Sequence, residues 1–140
     1  MAKNTELMEQ LRKCELFGGL SNRALKALAG CAKPTVHKPG HEIVEEGAEP
    51  FGFHLITDGT ATVTVHGQQR RTLHAGDYFG VVSLLDGKPR SASVTADTEL
   101  ATIFVSPWEF RPLLQEQPSI AYELLPVLCD LLRSAEEQPA

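Results

Sequence analysis

The residues best placed to do chemistry lie between positions 79 and 92. They form the run Phe79-Gly80-Val81-Val82-Ser83-Leu84-Leu85, a turn at Asp86-Gly87, and then Pro89-Arg90-Ser91-Ala92. Arg90 carries a rigid fork of N–H donors, a geometry matched to phosphate. Gly80 lets the backbone turn sharply and come close to a ligand. A short helix starting at Val81 points the unpaired N–H groups of its first turn, at the positive end of its dipole, toward the same region. Together these residues suit the capture of one anion, with apolar neighbours against the rest of the ligand. The same residues also read as a surface arginine that closes a loop.

Other chemistries find less support. His37, His41, His54, His66 and His74 fall in a strand-rich stretch, but they lack the H-x-H pair by which cupin-type barrels hold a metal. His37 and His41 are interrupted by Pro39-Gly40, a spacing unsuited to two ligands from one strand face, so these histidines read as surface or half-buried and no metal is expected. Glu45 and Glu46 are adjacent and on a strand point to opposite faces; Glu136 and Glu137 lie at the end of the chain. No Ser-His-Asp pattern stands out, and a non-enzyme is expected. Cys14, Cys31 and Cys129 are odd in number and far apart, which reads as reduced thiols in a cytoplasmic protein.

The elements that must hold these residues divide the chain into three zones. Its 140 residues suit one domain with a single sizeable core. Thirteen basic against 18 acidic residues leave a net charge of −5, which disfavours nucleic acid and anionic membrane as direct partners. The N-terminus lacks the apolar core of a signal peptide, and no run is long enough to span a membrane. Residues 1–33 read as helical, with Ser21 as an N-cap for a helix through about Ala32 and Leu20 with Leu25 as a staple across it. Residues 34–105 carry Gly and Pro at short intervals between β-rich runs at 51–57, 60–66, 70–74 and 93–105, the texture of a barrel or sandwich. Residues 106–137 return to helix. Ser106-Pro107-Trp108-Glu109 forms a capping box that starts a helix of about two turns. A last helix carries Ile120, Leu124, Val127, Leu128, Leu131 and Leu132 on one broad face, with a kink expected at Pro126.

The run from Phe79 to Ala92 resembles the phosphate-binding cassette of cyclic nucleotide-binding domains, the module of the catabolite activator family, of cyclic-nucleotide-dependent kinases and of gated channels. The likeness extends to Pro39-Gly40, Ile43, Glu46-Gly47, Phe53-His54-Leu55-Ile56, Gly59, Ala61-Thr62-Val63 and Leu73-His74-Ala75-Gly76-Asp77-Tyr78. It implies a mainly β fold with flanking helices: an eight-stranded jelly-roll barrel with N-terminal helices, a cassette helix and two C-terminal helices. It implies that Arg90 pairs with the cyclic phosphate and that Ser91 and Ala92 follow it in the cassette. Gly80, Val82 and Ser83 then lie along the ribose-phosphate, and Val63 packs on the base.

The chain departs from the cassette at Val81, where the family has a glutamate that accepts from the ribose 2′-hydroxyl. A valine cannot accept that bond. The resemblance implies a regulatory sensor that binds cyclic AMP or cyclic GMP and signals to an effector protein, with a homodimer seam or a lid formed by the last helix. The departure at Val81 implies the alternative, a degenerate domain that acts as a protein-interaction module. A helix-turn-helix is not expected after the last helix, so direct DNA binding is not expected either.

Overall fold

The computed structural model describes residues 2–44, 52–86, 88 and 92–137. Two helices come first, α1 (Ala2–Lys13) and α2 (Asn22–Ala29). Ser21 adopts extended backbone angles and its Oγ accepts from the Ala24 N–H at 3.1 Å, the expected N-cap. Leu20 and Leu25 are both buried. α2 stops earlier than Ala32 because Gly30 closes the helix and Ala32 is taken into the first strand, opposite Val105.

Among the described residues eight strands follow: β1 (Ala32–His37), β2 (Glu42–Val44), β3 (Phe53–Asp58), β4 (Ala61–Val65), β5 (Gln68–Leu73), β6 (Tyr78–Phe79), β7 (Ser93–Ala96) and β8 (Leu100–Val105). They pair into two antiparallel four-stranded sheets, ordered β1-β8-β3-β6 and β2-β7-β4-β5. The expected jelly-roll fold is therefore present, as two packed sheets that among the described residues do not close into one continuous barrel. β4 and β5 form a hairpin through His66-Gly67, whose positive φ values of 53° and 77° suit a two-residue turn of mirror-image type.

β3 and β8 are buried on both faces. Phe53, Leu55, Ile103 and Val105 face the helices in one cluster with Phe17, Leu25, Leu28 and Phe110. Ile56 and Leu100 face the other way, into a second cluster with Val44, Ala61, Leu73, Phe79, Val94 and Ala96. The expected single core is thus two cores on either side of one sheet.

The expected run at 93–105 is broken by a corner at Asp97-Thr98-Glu99. There the Thr60 carbonyl accepts from the Asp97 N–H at 3.0 Å and Thr98 Oγ1 accepts from the Thr60 N–H at 3.1 Å. Gly59 fits this corner at φ 96°, and a Cβ added to it would run into the carbonyl oxygen of Glu99. Gly59→Ala should lower stability by about 3 kcal/mol, from backbone strain together with this collision, as read by urea unfolding.

Three further helices complete the fold: α3 (Val81–Asp86), α4 (Pro107–Glu116) and α5 (Pro118–Glu137). Ser106 Oγ accepts from the Glu109 N–H at 3.3 Å, with Pro107 in the first turn, as expected of the capping box. α4 is longer than two turns, at 10 residues. α5 stays helical across Pro126; the carbonyl deprived of a donor belongs to Tyr122, which is exposed and open to water. Ile120 and Leu124 are buried and Val127 packs against the same cluster. Leu132, from the same apolar set, is 62% exposed.

A polar network lies on β1, β3 and β8. Buried His54 shares a hydrogen bond between Nδ1 and Thr102 Oγ1 at 2.8 Å, and Thr35 Oγ1 lies 2.6 Å from Thr102 Oγ1 and 3.1 Å from His37 Nε2. His41 stacks on His37 with centroids 5.5 Å apart. Burial, and then the charge of His41, hold the His37 imidazole below its ordinary value of 6.5. The unfolded chain therefore takes up this proton first, so the contribution is fully present above pH 6.5 and is lost as pH falls through the lower folded value. Replacing His37 with Gln should flatten the fall in melting temperature below pH 6.5, measured calorimetrically across a pH series.

Candidate functional site

A cavity of about 420 Å³ opens between the second sheet, the β6–α3 corner and α5. Its floor is one cross-strand row. Val44 pairs with Val94, Val94 with Val63, and Val63 with Arg71, and all four line the cavity. Paired residues of an antiparallel ladder project from the same face, so three valines form an apolar strip that ends in a guanidinium on the edge strand. Strand spacing makes the row about 14 Å long.

The wall is made by consecutive residues that turn from strand to helix. Phe79, Gly80, Val81 and Val82 all line the cavity. Gly80 takes φ 89°, the left-handed region, and its carbonyl accepts from the Leu84 N–H at 3.0 Å in the first turn of α3. Phe79 is held from behind by His54, the two rings stacked at 4.9 Å. Val81 is buried and belongs to the core cluster under the helices, so its side chain serves both the core and the cavity. Val82 is 61% exposed and stands at the rim. Leu131 of α5 closes the opposite side, in the position of a lid.

The structure therefore brings together five of the residues picked out from the sequence: Val63, Gly80, Val81, Val82 and Ala92. Ser83 follows them in α3. Arg90 and Ser91 lie outside the described residues, as do Glu45 and Glu46. Four polar residues of the lining were not anticipated: Glu15, Arg71, Asp77 and Tyr78. Arg71 was legible in principle, because it lies two residues before buried Leu73 on the same strand face. Glu15 was not, since it sits far away in the chain, in the loop between α1 and α2.

These four groups meet electrostatically. Burial raises the Tyr78 hydroxyl to about 12, helped by the charges of Glu15, Cys14 and Asp77 and opposed by Arg71. Tyr78 thus stays protonated at neutral pH, a neutral donor and acceptor. Asp77 Oδ2 accepts from the His74 N–H at 2.8 Å and is committed to its turn. Burial pushes the Cys14 thiol up to about 11, which makes it a packing residue rather than a nucleophile. Among the described residues no group of three or more His, Cys, Asp or Glu side chains is placed to hold a metal.

The sequence model described as "Cyclic nucleotide-binding domain" matches residues 34–117. The chain is 35% identical over 106 residues to a cAMP-dependent protein kinase regulatory subunit of Yarrowia lipolytica, an alignment covering 74% of this chain and 28% of the relative. It is 43% identical over 60 residues to a cGMP-dependent protein kinase of Toxoplasma gondii, covering 43% of this chain and 6% of the relative. The chain thus spans less than a third of the length of these curated relatives. Among solved structures, the N-terminal domain of a transcriptional regulator from Streptomyces coelicolor superposes with a TM-score of 0.78 at 22% identity, covering 91% of this chain and 93% of the other.

Proposed function

The chain belongs to the cyclic nucleotide-binding domain family, and on that premise we propose that it is a regulatory sensor unit that binds cyclic AMP or cyclic GMP and signals to a partner protein. The observation that carries this reading is the convergence of Val63, Gly80, Val81, Val82 and Ala92 on one cavity of about 420 Å³. That volume falls at the small-ligand end of ordinary binding pockets. The valine row offers a flat apolar surface for a purine, and the cassette corner offers backbone donors for the phosphate. Arg90 is assigned to the phosphate, and Ser83 and Ser91 to its surroundings, on their places in the cassette sequence.

In this reading a ligand in the cavity touches α5 at Leu131 and shifts that helix. Self-association would use the outer face of α5, where exposed Tyr122, Leu125, Cys129 and Leu132 recur at the spacing of a helix-pair seam. The unit spans residues 1–140, as helical segment, strand region and C-terminal helices. No catalytic role is assigned to it. Free thiols at Cys14, Cys31 and Cys129 support a reducing compartment such as the cytoplasm. No helix of the described residues is long and apolar enough to cross a membrane.

A second reading, a protein-interaction module that no longer binds nucleotide, is favoured by one observation. Val81 is built into the core and offers no acceptor. Isothermal titration with cyclic AMP and cyclic GMP separates the two. The sensor reading expects saturable binding of at least one, and Arg90→Ala should weaken it about a hundredfold or more while the melting temperature stays within a few degrees. Heat-free titrations with both nucleotides, or full binding by the arginine variant, would defeat it.

A further inference from the structure

We infer that Glu15, in the loop between α1 and α2, is a specificity-determining residue of the cavity and accepts a hydrogen bond from the 2′-hydroxyl of a bound cyclic nucleotide. The inference rests on the binding function proposed above and names a residue outside the cassette.

The argument begins with what the ligand can offer. In a 3′,5′-cyclic nucleotide both of those sugar oxygens are esterified to one ionised phosphate. The 2′-hydroxyl is the sugar's single remaining donor. A carboxylate is acceptor-only, so one that lines the cavity is suited to a donor on the ligand and is repelled by its phosphate. The cassette supplies no such acceptor, because Val81 is apolar and buried. Among the described residues two carboxylates line the cavity, Asp77 and Glu15. Asp77 Oδ2 already accepts from the His74 N–H at 2.8 Å, which ties Asp77 to its own turn and makes Glu15 the better acceptor.

The fold holds Glu15 firmly although its side chain is exposed. Cys14 and Leu16 on either side of it are 1% and 2% exposed, and Phe17 packs edge-on against Phe53 with centroids 5.3 Å apart. The loop is closed on itself, with the Phe17 N–H donating to the Cys14 carbonyl at 3.1 Å and the Leu20 N–H to the Phe17 carbonyl at 3.1 Å. The carboxylate is therefore presented from an immobilised backbone at little cost on binding. Its position is at the cassette end of the cavity. The charge of Glu15 reaches the hydroxyl of Tyr78, which lies two residues before Gly80. The sugar, bonded to the phosphate, must lie at that end too. Arg71 acts on the same Tyr78 hydroxyl with the opposite sign, so the wall carries a cation that offsets repulsion between carboxylate and phosphate.

The test is a set of four isothermal titrations, parent protein and Glu15→Ala, each with cyclic AMP and with 2′-deoxy cyclic AMP. Parent protein should bind cyclic AMP about tenfold more tightly than the deoxy compound, the worth of one hydrogen bond to a charged acceptor. Glu15→Ala, a change at an exposed side chain, should keep the fold and bind the two compounds alike, at the level the parent shows for the deoxy compound. A parent that does not distinguish the two, or a Glu15→Ala protein that still prefers cyclic AMP, overturns the inference and leaves the sensor reading standing. A variant that weakens both compounds equally shows that the carboxylate does not read the 2′-hydroxyl and overturns it as well. A parent that binds neither compound overturns the inference together with the function on which it rests.

Discussion

The site depends on the two residues of β6. Alternation along a strand sends neighbouring side chains to opposite faces, and here both faces are occupied. Tyr78 packs beside Phe53 toward the helices, with ring centroids 5.7 Å apart. Phe79 enters the core between the sheets and stacks on His54. Neither residue can slip by one position without putting a phenol hydroxyl into the inter-sheet core. With both rings pinned, Gly80 begins at a fixed place and direction, and its left-handed backbone turns the chain at once into α3. Each residue of the cavity wall inherits its position from this joint. β6 itself is short and weakly paired, with two register pairs to β3, so its side chains rather than its ladder hold it.

The doubly buried sheet explains why helices are required at all. β3 and β8 expose apolar side chains on both faces, and the second sheet can cover only one. The N-terminal helices, α4 and the first half of α5 cover the other. That packing has a consequence for the cavity, because the residues that reach it from the helical layer, Glu15 and Leu131, come from segments anchored by the same core. Cys14, Leu16 and Phe17 anchor the one, Ile120 and Leu124 the other. Stability and site geometry are in this sense the same contacts.

Local features were legible in the sequence wherever a short-range rule decides the outcome. The caps at Ser21 and Ser106 formed as their side chains require, and the strand zone with its cassette corner appeared where the glycines and prolines placed it. Two details lay beyond any local rule. The β-rich run at 93–105 holds two strands, parted by a corner at Asp97 that is made by Thr60 from another part of the chain. The apolar face read along the last helix is divided in the fold, with Ile120 and Leu124 buried and Leu132 exposed. Both outcomes are set by tertiary partners, which local composition does not encode. The lining residues divide likewise. The cassette positions are contiguous and visible as a motif, Arg71 follows from strand alternation, and Glu15 depends on how a distant loop docks.

The distribution of polarity in the cavity follows from these origins. The floor comes from a sheet row whose members must be apolar near the inter-sheet core, and Val44, Val63 and Val94 meet that demand. Charge is tolerated where the row reaches the edge strand, and β5 is exposed along nearly all its length, so Arg71 ends the row without a buried-charge penalty. The same reasoning places Glu15 at an exposed loop position. At the position after Gly80 the demand is different, because that side chain also belongs to the core cluster under the helices. A carboxylate there would be partly desolvated, and valine removes that cost while also removing an acceptor from the wall. An acceptor carried on an exposed rim loop avoids the conflict, since its charge remains hydrated until a donor arrives and the core beneath keeps an apolar plug. Packing in the helical layer and hydrogen bonding in the cavity are thereby assigned to different residues, Val81 for the first and Glu15 for the second.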